Sequence, residues 1–314
     1  MTQQVTPVPE GAETATVRPT YPLDRIGPGA ASLALLTAVL WGGNQVAIKV
    51  GLEGMPPLAM AAVRFTLGWC VVALAARITG CSVRLNRREI KPLMGLCALF
   101  VVQIATLNIG TAHTSASRST VLITTYPFFT ALFAHLLIPG DRVSARQLGG
   151  MALAFGGIVA LFADTFIAPT GAGLHGDIIV LGSASLLGLR QVVIKRLTAG
   201  LHPYKVLFWQ ALLSLPVFAV ASVLIEGSAG YAWSRGSILG VLYQGVVIAG
   251  GCFIIIVSLL SRHSAGKLAV FAFVTPAVGV LLSAWITGDP LTAGLLLGTA
   301  LVGTGVTIGT WRRG

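Results

Sequence analysis

The chain has 314 residues, 55% of them hydrophobic and only 10% charged, and its mean hydropathy is +0.85. A soluble domain carries about a quarter of its residues as charges, so these values exclude a water-exposed globule and leave lipid as the solvent. The net charge of +11 comes from Lys and Arg scattered between apolar runs, which argues against nucleic acid as a partner.

Residues 1–29, rich in Pro, Thr, Gly and Ala, read as a disordered tail, with no basic stretch near Met1 to suggest a cleaved signal. Because a bilayer core needs about 20 apolar residues per helix, ten spans are predicted over 30–49, 57–76, 92–111, 115–138, 145–164, 178–195, 204–225, 237–260, 265–287 and 291–311. The connections are short, and no run alternates with the period of two that a transmembrane barrel needs. Basic residues concentrate in alternate loops, among them Arg84, Arg87, Arg88 and Lys91, then Lys195, Arg196 and Lys205, then Arg312 and Arg313. The opposite loops carry Glu53, Asp177, Glu226 and Asp289. By the positive-inside bias both termini are expected in the cytoplasm, in a bacterial inner membrane. The four cysteines form no CxxC or Cys/His cluster, so no metal or cofactor is expected.

The most informative feature is an internal repeat. Ala38, Gly42, Gln45, Val46, Ile48 and Lys49 recur as Ala184, Gly188, Gln191, Val192, Ile194 and Lys195. The offset of 146 (188 less 42, 195 less 49) carries on to Gly54 and Pro57, matched by Gly200 and Pro203. Ser115, Ala116 and Pro127 recur at Ser264, Ala265 and Pro276, an offset of 149 (276 less 127), and both runs close with Gly-Asp, at Asp141 and Asp289. The expected fold is therefore all-α, with ten transmembrane helices in two five-helix repeats, 30–164 and 178–311. Five is odd, so the second copy inserts upside down relative to the first. Inverted repeats are the architecture of alternating-access carriers, with substrate held near the midplane.

The block around Trp41, Gly42, Asn44 and Lys49, the proline opening the second span, the Ala-containing entry and proline of the fourth and ninth, and the Gly-Asp after them resemble the EamA-type transporters of the drug/metabolite transporter superfamily. The family often has Glu where this chain has Asp141 and Asp289, a departure that leaves the fold expectation intact. The resemblance covers nearly the whole chain from about residue 30 and implies a ten-helix exporter of metabolites such as amino acids. Overall similarity leans to the aromatic amino-acid exporters.

Polar groups inside a span cost several kcal/mol when unpaired, which makes them candidates for the site. Arg190, at the position equivalent to Asn44, could bind a substrate carboxylate, or pair with helix carbonyls and snorkel. Asn44, Gln45 and Gln191 could serve a zwitterion or tie helices together. Gln103 and Asn108 lie in the third span. Gln210, matching Arg64 of the second span, lies beside Trp209, and Tyr243 and Gln244 form a similar pair. Rings beside amides suit a substrate with a ring and a charged head, though Trp209 and Tyr243 fit interfacial anchoring equally well. Tyr126 precedes Pro127, whose missing N–H frees backbone groups. Pro127 and Pro276 are predicted as paired hinges, and Pro216 also lies inside a span. Small residues four apart (Ala152, Gly156, Ala160; Gly294, Gly298; Gly305, Gly309) allow close helix contact without requiring dimerisation, so a monomer is expected.

No phosphate-binding loop is present, and none of the ten acidic residues falls in the middle of a span. This favours a uniporter or exchanger over a proton-coupled efflux carrier, which stays open as an alternative with His113 as a possible relay. The sequence has no GxSxG or HExxH motif, so an enzyme is not expected. A channel is the remaining rival, although a duplicated chain already contains its own pathway.

Overall fold

The computed structural model describes residues 27–137, 145–167, 173–198, 200–227, 230–260, 271 and 274–310. The helices are α1 (Pro28–Leu52), α2 (Pro57–Ile78), α3 (Arg87–Ala112), α4 (Ala116–Ile123), α5 (Tyr126–Leu137), α6 (Ala145–Ile167), α7 (Leu174–Thr198) and α8 (Pro203–Ala221). They continue with α9 (Arg235–Leu242), α10 (Phe253–Leu260), α11 (Val274–Ile286) and α12 (Ala293–Thr310). No strand occurs among the described residues. Seven helices are long and apolar enough to cross a membrane, α4 and α5 counting as one and the later ones with their extensions, and three shorter apolar helices cover 148–160, 274–286 and 293–308. Large apolar side chains such as Phe155, Leu224 and Trp285 stand more than 60% exposed, as a lipid-facing wall requires. The chain is a multi-span membrane protein.

Sequence signals explain the local breaks. Prolines at the first turn start α1, α2 and α8, where the missing N–H costs nothing. Asn86 and Glu89 cap α3 reciprocally, each accepting a backbone N–H of the other's turn. The fourth apolar run is not one helix: it breaks at Thr124 and Thr125, and Pro127 opens α5 instead of kinking a continuous helix. A proline has no N–H to give to the preceding turn, so the chain turns before it. Pro276 sits in the first turn of α11, while most of the run before it lies outside the described residues. Of the three prolines predicted inside spans, Pro216 lies well inside its helix, α8. Two stretches widen into π turns, Ser222–Glu226 after α8 and Tyr243–Cys252 between α9 and α10. Neither was visible in the hydropathy pattern.

Contacts give the helix directions. Lys49, in the last turn of α1, donates to the carbonyls of Thr111 and Ala112 in the last turn of α3, so α1 and α3 are parallel. The start of α7 at Gly176 packs on His113 at the end of α3, and Leu93 and Leu96 at the start of α3 pack with Val193, Ile194 and Leu197 at the end of α7. Thus α7 runs against α3, and so against α1, its repeat equivalent. The same holds for α2 and α8: Glu226, beyond α8, accepts from the amides of Leu58 and Ala59, while Cys81, beyond α2, lies 3.2 Å from the His202 ring that caps α8.

The repeat also sets a matched pair of close crossings. A Cβ added at Gly42 would stand 2.9 Å from Cβ of Val278, two residues after Pro276. A Cβ added at Gly188 would stand 2.6 Å from Cβ of Phe129, two residues after Pro127. Each copy's first helix is therefore pressed against a helix of the other copy, and only glycine permits the approach. The small-residue pattern of the fifth and tenth runs is used within the chain, with Gly157 against Val302 and Gly305 against Gly150.

Candidate functional site

Polar side chains collect in two places, one end of the bundle and its interior. At the end that carries Lys49, its ammonium donates to the carbonyl of Thr114 at 2.7 Å as well as to Thr111 and Ala112. The fully buried Asp177 accepts from Thr114 Oγ1 at 2.6 Å and pairs with Arg118. Asp289 accepts from the amide of Ser117 at 2.9 Å and from its hydroxyl. Every one of these acids has a donor that matches it.

The interior is different. Arg64 of α2 and Arg190 of α7 are 5% and 3% exposed, and each sits about two turns or more from either end of its helix. Arg64 Nη1 donates to Gln244 Oε1 at 2.8 Å, and Gln244 Nε2 is anchored on the carbonyl of Ala47 at 2.8 Å. Arg190 Nη1 donates to Gln103 Oε1 at 2.9 Å, and Gln103 Nε2 is anchored on Ser183 Oγ at 3.2 Å. Two arginines, each held by one glutamine, thus converge from four helical segments. Arg64 lies over the Phe65 ring at 4.5 Å and Arg190 over the Phe100 ring at 5.0 Å, and those rings meet edge to face at 4.7 Å. Among the described residues no carboxylate pairs with either arginine, and each donates one hydrogen bond out of the five its guanidinium can make.

Beside this cluster is a small cavity, about 20 Å³, lined chiefly by Phe65, Trp69, Phe100, Gln210 and Phe253. Gln210 Oε1, Trp69 Nε1 and Arg190 Nε are buried without a hydrogen-bond partner. Ligand pockets measure hundreds of Å³, so admitting a metabolite requires these helices to separate.

The residues singled out from sequence divide accordingly. Gln103, Arg190, Gln210 and Gln244 come together in the interior, and Tyr126 lies within electrostatic reach of Arg190. Gln45 Oε1 accepts from Ser119 and Thr111, and Asn108 donates to the carbonyl of Pro57, so both tie helices toward the Lys49 end. Trp209 Nε1 donates to the Val83 carbonyl at 2.7 Å and Tyr243 to that of Leu40 at 2.6 Å, which makes them braces between segments. Asn44 has a buried, unpartnered Oδ1, and Gln191 is half-buried on α7. Sequence reasoning passed over Arg64, noted only as the counterpart of Gln210, and the ring cluster around it.

A helical membrane bundle with a buried, polar and aromatic interior site has the construction of a solute transporter. The EamA-like transporter family model matches the chain twice, over residues 29–163 and 174–311, and the chain belongs to that family. It is 30% identical over 294 residues to the "Probable amino-acid metabolite efflux pump" of Escherichia coli (strain K12), covering 90% of this chain and 96% of that protein. It is 28% identical over 234 residues to the "Probable terminal-alkyne amino-acid exporter" of Streptantibioticus cattleyicolor, covering 68% and 75%. One protein solved by crystallography has the same fold, with a TM-score of 0.65 at 21% identity over 90% of this chain and 96% of that one.

Proposed function

We propose that this transporter exports amino-acid metabolites with aromatic side chains, by alternating access, as a uniporter or exchanger in a bacterial inner membrane. In this reading the chain forms ten transmembrane helices as two inverted five-helix repeats, 30–164 and 178–311, behind a cytoplasmic tail at 1–29. The antiparallel α1/α7 and α2/α8 relations support it, as do the two family matches. Both termini lie in the cytoplasm, so the Lys49 end faces outward, and the carrier works as a monomer with Pro127 and Pro276 as hinges.

The observation that carries the reading is the interior cluster. Arginine and glutamine donors at Arg64, Arg190 and Gln103 can hold a carboxylate, while the Phe65, Trp69, Phe100 and Phe253 rings offer stacking surfaces for a side chain. The printed roles of the relatives point to the same substrate class. The test is counterflow in proteoliposomes loaded with tryptophan, phenylalanine, their N-acetyl derivatives, threonine or a nucleoside. Saturable, trans-stimulated exchange of the ring-bearing compounds is expected. Flux that neither saturates nor responds to substrate on the far side would identify a channel and overturn the reading.

A further inference from the structure

We infer that the species carried is an organic anion, and that the membrane potential drives its export. This rests on the exporter reading above and concerns the charge of what occupies that same site.

The argument is a charge count around Arg64 and Arg190. Five acidic residues have described side chains. Glu53 is exposed, Glu89 pairs with Lys205, Asp177 with Arg118, Glu226 with the amides of Leu58 and Ala59, and Asp289 with Ser117. None reaches the interior arginines. Of the other five, Glu10, Glu13 and Asp24 precede the first span in sequence, Asp141 follows the fourth, and Asp164 closes the fifth. Among the described residues, two guanidiniums therefore share one buried site without a protein carboxylate. Bringing a like-charged pair out of water is costly, and the attraction of a counter-charge is what offsets it.

A zwitterion does this badly. Its carboxylate would satisfy the arginines, but its ammonium would add a third positive charge to the site. An anion with a neutral nitrogen avoids that penalty. Its carboxylate can take free guanidinium donors of Arg64 and Arg190, a bidentate geometry that arginine favours. Its uncharged N–H can donate to Gln210 Oε1, a buried acceptor that now has no partner, and its ring can lie among Phe65, Trp69 and Phe100. Amine-acylated aromatic amino acids have this chemistry.

The energetic consequence follows from the cycle. The protein's own charges return to their starting positions, so the net charge moved per turnover is that of the cargo. With the cytoplasm negative, an anion runs outward downhill, and export needs no coupled ion. That matches a chain with no acidic residue in the middle of any span.

The experiment uses the full chain in proteoliposomes with a potassium diffusion potential set by valinomycin. N-acetylphenylalanine is expected to accumulate on the positive side by about 50-fold for each 100 mV, with phenylalanine remaining near parity and carried less efficiently. Arg190→Gln should lower the preference for N-acetylphenylalanine over phenylalanine by about tenfold or more, and Arg190→Lys should retain part of it. Saturable counterflow of phenylalanine with equal or greater efficiency and no response to potential would overturn this inference and leave the exporter reading standing. Counterflow by none of the ring-bearing compounds would overturn both.

Discussion

The Lys49 end and the interior cluster use the same residue types to opposite effect. At the end, each of these charges has a partner of opposite sign or a set of dipoles: Asp177 with Arg118, Asp289 with the Ser117 amide and hydroxyl, Lys49 with three carbonyls. In the interior, Arg64 and Arg190 receive only amides and ring faces. The first arrangement stabilises a closed contact between helices. The second holds charge with no carboxylate beside it among the described residues, which is what the proposed ligand site calls for.

That contrast predicts opposite signs for equivalent neutralisations. The largest effect belongs to Asp177→Asn. It leaves Arg118 facing a lost carboxylate and should reduce stability by about 3 kcal/mol, the low end for a broken buried pair because the Arg118 side chain keeps 15% of its exposure. A drop in the melting temperature of the purified protein would show it, and an unchanged value would break the comparison at its paired end. Arg190→Gln should instead leave stability unchanged or raise it by about 1 kcal/mol, while transport of the preferred substrate falls by about tenfold or more. Loss of stability equal to that of Asp177→Asn would mean the interior arginines are structural. The smallest effect is expected from Lys205→Met, which removes a surface pair with Glu89 and should leave the melting temperature nearly unchanged.

Much of this architecture is legible in the sequence because the bilayer imposes a length on each apolar run and the duplication leaves an offset. Gly42 and Gly188 were aligned by spacing, and the structure gives them equivalent neighbours in Val278 and Phe129. The interior cluster was legible only in part. Gln103, Arg190, Gln210 and Gln244 stand out as polar residues in apolar runs, yet nothing in their spacing says that Gln244 reaches Arg64 across 180 positions. Arg64 itself was hidden because an arginine seven residues from the start of α2 could equally snorkel to the surface. Gln45, Asn108, Trp209 and Tyr243 carry the same sequence signal as the cluster residues. What separates them is the partner each finds, a helix carbonyl or hydroxyl instead of a shared interior.

The crossed glycine contacts bear on how the molecule is made. Gly42 lies at a close crossing of α1, and its neighbour Val278 is translated 236 residues later (278 less 42). At roughly 5–20 residues per second, the first helix spends some tens of seconds in the membrane before that neighbour exists. Ribosomes must therefore nearly finish the chain before its beginning can settle. A message truncated between the two copies would release an opening segment with an unfilled groove, a form that membrane proteases can recognise.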